Sequence, residues 1–345
     1  MYNIASKYAQ YLDNNELTPV LGLGEGETPL VRSVFIGNEL GYNVNLFFKL
    51  ENQNPSFSFK DRGVVYAIAK AAERKKCGII CATAGNLGIS AAMYSARAGM
   101  TCVVLIPKLL TNDEKIKRME LYGARVRIID GTLNECLKLC EEVRETYGYE
   151  VLNYSNPDYL RGLNTISYEI ADSLGKGPDI FSCGIGHGSL FGAAWNGFKE
   201  YYSAFKLEKL PVMFGFKGIT GKNAGSSIML SEINIIRDND EIYDKALIAR
   251  DESNGYIADV SDEQAAAVYR KLAAKESIIA DISSCASVAG LYKLKADGVD
   301  FDNQTIVCVL SGFSDSTETV YINSSLNSLK LFKPTINDLE SELVI

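Results

Sequence analysis

A lysine stands near the centre of the run Asn54-Pro55-Ser56-Phe57-Ser58-Phe59-Lys60-Asp61-Arg62-Gly63. A strand-like stretch at 44–50 precedes it and a helical stretch at 59–76 follows. That placement directs the Lys60 amine out of a strand's carboxyl end into a cleft, where ligands sit. An amine close to other positive charge, or in a dry pocket, loses its proton more easily and forms an imine with an aldehyde. The structural alternative is a plain helix start, with Ser58 as cap and Asp61 in the favourable first turn.

Three further loops carry residue types suited to the same chemistry. Thr83-Ala84-Gly85-Asn86-Leu87-Gly88 follows a strand-like run at 78–82 and opens a helix at 89–98. There the Asn86 amide and backbone N–H groups can face a ring oxygen or a carboxylate. Gly184-Ile185-Gly186-His187-Gly188-Ser189 lies between a strand at 180–183 and a helix from Leu190. Closely spaced glycines before a helix let N–H groups close around a phosphate. The last apolar strand, 305–310, runs into Ser311-Gly312-Phe313-Ser314-Asp315. A hydroxyl against a pyridine nitrogen leaves it neutral, whereas a carboxylate holds it protonated; Ser311 is favoured and Asp315 keeps the second option open. A lysine, a phosphate loop and a ring-nitrogen partner together name the aldehyde as pyridoxal 5'-phosphate.

Much other chemistry is excluded by composition. His187 is the only histidine, which removes Ser/His/Asp and Cys/His triads and histidine-based zinc sites. Cys136 and Cys140, four apart on an expected helix, are read as packing, so no metal is expected. With 35 basic against 43 acidic residues and a net charge of −8, nucleic acid and anionic membranes are poor partners. The eight cysteines show no Cys-x-x-Cys spacing and mostly fall in apolar runs, as reduced thiols of a cytoplasmic protein do. No secretion signal is evident in residues 1–16, and no segment reaches the roughly 18 apolar residues of a membrane span.

The elements that position these loops alternate between short β-branched runs and longer amphipathic ones, the pattern of parallel strands joined by crossover helices. Strands are expected at 44–50, 78–82, 102–106, 125–129, 151–154, 180–183, 212–216, 246–249 and 305–310. The fold class is α/β. A smaller domain at 44–150 and a larger cofactor-binding domain made of 1–43 and 151–345 account for two series of strands and helices, with 323–345 as a peripheral arm or tail.

In their order along the chain these motifs resemble the threonine synthase branch of the tryptophan synthase β-like pyridoxal phosphate enzymes (fold type II), which includes cysteine synthase and the serine/threonine dehydratases. The resemblance is carried by Leu23-Gly24-Glu25-Gly26-Glu27-Thr28-Pro29-Leu30, Lys49-Leu50-Glu51-Asn52-Gln53-Asn54-Pro55, Ser58 to Gly63, Ala84-Gly85-Asn86, Tyr122-Gly123-Ala124, Asn156-Pro157, the 184–188 loop and Ala286-Ser287-Val288-Ala289-Gly290. It implies a two-lobed, three-layer αβα fold and a homodimer. It further implies that Lys60 carries the cofactor imine, Asn86 meets the ring hydroxyl, Gly184 to Ser189 hold the phosphate and Ser311 meets the ring nitrogen.

The chain departs from that family where the substrate phosphate of phosphohomoserine is held. Ser/Thr-Gly-Asn-Thr has become Ala84-Gly85-Asn86-Leu87, and Asn-Ser-x-Asn-Pro-x-Arg has become Asn153-Tyr154-Ser155-Asn156-Pro157-Asp158-Tyr159. A hydrogen bond to a charged group contributes about 1.5–3 kcal/mol, so these losses predict phosphohomoserine binding weakened by orders of magnitude, with Asp158 adding repulsion if it faces the cleft. Phe57, Leu87, Tyr154 and Tyr159 predict a more aromatic pocket, with repacked wall as the alternative for the tyrosines, and Lys217 is read as a solvated loop lysine ahead of a new anion contact. The expected substrate contacts are Thr83, Ala84, Gly85 and Asn86 for the carboxylate, and Leu87, Asn153, Tyr154, Ser155 and Tyr159 for the side chain. The reading is β- or γ-elimination or replacement on an amino acid, with Lys60 as the base. The alternatives are cysteine synthase-like β-replacement on O-acetyl- or O-phosphoserine, a serine/threonine dehydratase, and a non-catalytic cofactor-binding regulatory paralogue.

Overall fold

The computed structural model describes residues 4–83, 85–218 and 241–313. Its strands are β1 (Leu30–Arg32), β2 (Asn45–Leu50), β3 (Ile79–Ala82), β4 (Cys102–Pro107), β5 (Arg125–Ile129), β6 (Glu150–Val151), β7 (Ile180–Gly184), β8 (Val212–Gly218), β9 (Tyr256–Val260) and β10 (Thr305–Leu310). They form a six-stranded sheet in the order β1-β2-β10-β7-β8-β9 and a four-stranded sheet in the order β5-β4-β3-β6. Every pairing is parallel except that of β1 with β2. The central strands β10, β7 and β3 are almost wholly buried, as parallel strands covered on both faces by helices must be. Their sequences accordingly read as continuous apolar runs.

Three features differ from the sequence expectation. The run at 246–249 is not a strand but lies inside the helix Glu241–Glu252. Ile242, Ala246 and Ala249 are its buried residues, at helical spacing, and alanine is a strong helix former. The edge strands β1 and β9 were not anticipated; both are short, and two of the five residues of β9, Tyr256 and Asp259, are polar or aromatic and exposed. Finally, β2, expected to open the smaller domain, pairs with β10 in the six-stranded sheet.

That pairing sets up the site. Leu50 of β2 lies beside Leu310 of β10, and Val307 of β10 beside Phe181 of β7, so the carboxyl ends of the three strands point the same way. Ligands of open α/β sheets bind outside such ends. Two neighbouring loops are stitched together there: Phe59 N donates to Ser311 O (3.0 Å) and Phe313 N to Phe57 O (3.0 Å).

Beneath them a buried ionic cluster anchors the helix Lys60–Glu73. Arg62, fully buried, makes a bidentate pair with Glu51, from Nε to Oε2 and Nη2 to Oε1 at 2.7 Å each, and donates from Nη1 to Glu169 Oε2 at 2.8 Å. Lys49 pairs with Glu169 and donates to Thr28 O (2.6 Å). Thr28 Oγ1 donates to Glu51 (2.6 Å). Two acids and two bases are thus taken out of water together. Arg62 and Lys49 hold Glu169 down to about 2 against the opposing effect of burial, and Glu51 is also lowered.

Candidate active site

Lys60 is the first residue of its helix, which begins without a side-chain cap. Its ammonium lies over the Phe59 ring, 4.7 Å from the centroid. The expected capping role of Ser58 reduces to a long contact, Lys60 N to Ser58 Oγ at 3.4 Å. The next residue, Asp61, points inward instead of acting as an exposed first-turn acid. It accepts from Ser56 N (2.7 Å), Ser56 Oγ (2.5 Å) and Ser90 Oγ (2.5 Å), and burial pushes it up to about 6 despite those donors.

One cleft is lined by Lys60, Asn86, Tyr154, Gly184, Gly186, His187, Gly188, Ser189 and Ser311. These residues lie up to 251 positions apart in sequence, between Lys60 and Ser311. Ser58, Phe59, Leu190, Phe191, Asp281 and Ser283 complete its walls. Asn86 is the first residue of the helix Asn86–Ala98, which begins with no side-chain cap on its own N–H groups.

The glycine loop fits a phosphate. The helix Ser189–Ser203 starts after Gly188, which has φ +88° and offers no side-chain cap, so its first-turn N–H groups are available to an anion, with the helix dipole in support. A Cβ on Gly188 would come within 2.9 Å of Ala246 Cβ, and one on Gly184 within 2.7 Å of Ser283 O. Only glycine allows the backbone to close this way. Ile185 does not share the task expected of it: its N–H donates to Phe216 O (2.7 Å), and its side chain is buried against Gly215.

From the 150s segment Tyr154 reaches the glycine loop and stacks on its His187, with ring centroids 4.0 Å apart and planes 21° apart. The remaining expected substrate contacts are distributed differently. Leu87 is fully buried in the core that also holds Met119 and Val104. Tyr159 is fully buried too, filling the space that a Cβ on Gly63 would need, with its ring 2.4 Å from that point. Burial raises its hydroxyl pKa. Both side chains are apolar enough to be worth more in the core than on a wet wall. Thr83 Oγ1 turns back to accept from Gly85 N (3.1 Å). Asn153 Oδ1 accepts from Ser155 N (3.0 Å) and Oγ (2.9 Å), forming a local turn outside the cleft lining. Asp158 faces away, paired with Arg74 from Oδ2 to Nη1 at 2.6 Å. Lys217 is 3.6 Å from Asp259, a surface pair. Ala84 and Asp315 lie outside the described residues.

Asp281 was missed by the sequence reading. It is nearly buried, lines the cleft and caps the helix Ile282–Ala296 by accepting from Ser284 N (2.7 Å). A capping signal was present in Asp281-Ile282-Ser283-Ser284, but nothing local tied it to Ser311.

Comparison with known proteins agrees with this geometry. Residues 21–312 match the family model described as pyridoxal-phosphate dependent enzyme. The chain is 38% identical over 314 residues to a threonine synthase of Halalkalibacterium halodurans, covering 90% of this chain and 88% of that protein. It is 37% identical over 329 residues to one of Synechocystis, covering 94% and 85%. Among solved structures it superposes on a pyridoxal 5'-phosphate-dependent aspartate racemase with a TM-score of 0.69 at 20% identity, covering 88% of this chain and 92% of that one, which speaks for the fold alone. The chain belongs to the pyridoxal-phosphate dependent enzymes and, within them, to the threonine synthase family.

Proposed function

We propose that this enzyme catalyses β- or γ-elimination or replacement on an amino acid whose leaving group is not a tightly held phosphate, using Lys60 as its anchoring and proton-moving group. The observation that carries the reading is the meeting of Lys60, the 184–189 glycine loop, Asn86 and Ser311 in one cleft. Gly186, His187, Gly188 and Ser189 would hold the cofactor phosphate through backbone N–H groups, Asn86 would meet the ring hydroxyl and Ser311 the ring nitrogen. Pyridoxal phosphate, when bound, supplies an electron sink for a carbanion beside the amino group. Lys60 then takes the proton from the substrate α-carbon, and its amine is placed for this by a helix whose next turn is fixed through Arg62. Backbone N–H groups of the 85–88 turn would receive the substrate carboxylate.

The leaving group is argued from what lines the cleft. No arginine does so among the described residues, and Tyr154 stacks flat on His187 of the glycine loop. Repulsion from Asp158 drops out of the argument because Arg74 neutralises it. Tyr154, with Asn153 and Ser155 behind it, is the proposed wall for the substrate side chain. We further propose a substrate-side lobe built on β3 to β6, a homodimer in keeping with the family likeness, and a cytoplasmic location in keeping with the free, mostly buried thiols.

The test is to incubate the holoprotein separately with phosphohomoserine, phosphoserine, acetylserine, threonine and serine, each with and without an added nucleophile such as sulfide. Keto acid and ammonia report elimination; a new amino acid with released acetate or phosphate reports replacement. Borohydride reduction and peptide mapping should place the pyridoxyl label on Lys60. Rapid conversion of phosphohomoserine to threonine would overturn the substrate reading, and a label elsewhere would overturn the site.

A further inference from the structure

A substrate side chain that rests against the Tyr154 wall has the imidazole of His187 for a neighbour. The two rings are stacked with centroids 4.0 Å apart, and both line the cleft that holds Lys60. Stacking covers a face of the imidazole, whereas its proton-carrying nitrogens lie on the ring edge. The proposed hold on the cofactor phosphate uses the backbone of residues 186–189 and gives the His187 side chain no task. Imidazole is the side chain whose charge changes near neutral pH, which suits it to proton transfer.

The leaving group decides whether such a donor is needed. Acetate departs as a stable anion, but hydroxide must be protonated as its bond to carbon breaks. Besides Lys60 and His187, the titratable side chains lining the cleft among the described residues are Tyr154 and Asp281. Asp281 accepts from Ser284 N (2.7 Å) as a helix cap, and a phenol gives up its proton far less readily than an imidazolium. The helix Glu241–Glu252 brings Tyr243 beside Gly188 and Lys245 beside Gly192, and neither lines the cleft. The rival donor is Lys60 itself, returning the proton it took from the α-carbon.

We infer that the His187 imidazolium is the general acid of this cleft, protonating the oxygen that leaves the substrate β-carbon, so that amino acids with an unactivated hydroxyl are substrates. This rests on the elimination reading proposed above. The α C–H pair becomes the carbon–carbon double bond as its proton passes to Lys60. The C–O pair departs on oxygen, and the His187 proton completes water. Hydrolysis of the unsaturated amino acid consumes one water and gives keto acid and ammonia, and exchange through solvent carries a proton from Lys60 back to His187.

The experiment compares elimination from serine and from acetylserine by the untagged holoprotein and by His187→Asn as a function of pH. General acids contribute about 100-fold or more, so the serine-to-acetylserine ratio of kcat should fall by about that factor in His187→Asn. Wild-type kcat on serine should decline as pH rises through the imidazole titration, a limb absent with acetylserine. Because the chain has a single histidine, nitrogen-15 NMR of histidine-labelled holoprotein follows one imidazole, whose loss of the proton should coincide with that limb. A ratio changed by less than about threefold leaves the proton with Lys60 and overturns the inference; so does a selective loss in Tyr154→Phe instead of His187→Asn, or an imidazole titration that misses the limb. Should His187→Asn fail to bind cofactor, the wild-type limb and NMR titration decide alone. A wild type that releases acetate but no water overturns this inference and leaves the proposed function standing, whereas turnover of none of the five amino acids overturns both.

Discussion

Replacing Arg62 by methionine keeps most of the side-chain volume and removes the guanidinium that joins Glu51 to Glu169. Glu169 retains Lys49, but Glu51 is left fully buried with only Thr28 Oγ1 (2.6 Å) and Asn54 Nδ2 (2.9 Å) as direct donors. Breaking a buried pair in this way costs about 3–5 kcal/mol, because the remaining charge has lost its compensation. The helix that begins at Lys60 is anchored by this pair, so cofactor affinity should fall along with stability.

The pH dependence gives the prediction its sharpest edge. In the wild type Glu51 is lowered and Glu169 is held at about 2. Their contribution is present above the ordinary value of 4.5 and is lost as pH falls through the folded values. In R62M the uncompensated Glu51 shifts above its ordinary value, so the variant recovers relative to wild type as acid protonates it. Urea unfolding followed by circular dichroism should therefore show a deficit of about 3 kcal/mol or more at pH near 8, narrowing toward pH 5. Adding Glu51→Gln to Arg62→Met should return part of the loss. A deficit below about 1 kcal/mol, or one unchanged between the two pH values, would refute the charge argument.

Gly188→Ala forces a side chain onto a backbone with φ +88° and against Ala246. The left-handed conformation alone costs about 1–2 kcal/mol, so fluorescence titration should show pyridoxal phosphate affinity reduced about tenfold or more. Tyr159→Arg, which introduces the arginine that the family resemblance leads one to expect there, should destabilise the protein by about 3 kcal/mol or more because the site is fully buried; a stable variant that gains phosphohomoserine binding would show that Tyr159 reaches the cleft. Asp61, at about 6 when folded against 3.8 ordinarily, makes folding less favourable as pH rises between those values, by about 3 kcal/mol at most. Comparing urea midpoints of wild type and Asp61→Asn from pH 4 to 7 checks the sign, since a wild type that gains on the variant over that window contradicts it.

Which residues meet in the cleft was largely legible because local rules place them. A lysine after a strand end, glycines where a helix must start close to an anion and a hydroxyl past the last strand are read within a few residues each, and β5 and β10 fall where their apolar runs place them. What was not legible depends on distance in the chain. Tyr154 meets His187 across 33 positions, and Arg62 meets Glu169 across 107. Leu87 sits next to the cleft residue Asn86 in sequence and Tyr159 five residues after Tyr154, yet helix geometry turns both into the core.

This division changes what the family motifs mean. Glu25, Thr28, Lys49, Glu51, Asp61 and Arg62 look like a reservoir of catalytic acids and bases, but all are buried and most of their polar atoms are satisfied by one another or by nearby hydroxyls; Glu25 accepts from Tyr94 Oη (2.9 Å) through Oε2, while its Oε1 has no hydrogen-bond partner among the described residues. They hold the base of the Lys60 helix at fixed geometry without touching the cleft. Tyr154 and His187 line the cleft and stack on each other, and Tyr154 also packs against the core, edge-on to Tyr159. Substitution in the scaffold is opposed by several kcal/mol of stranded charge, whereas a change at Tyr154, in the cleft wall, strands no buried ion pair. A chain can therefore keep the motifs of the threonine synthase family intact while its substrate side is rebuilt.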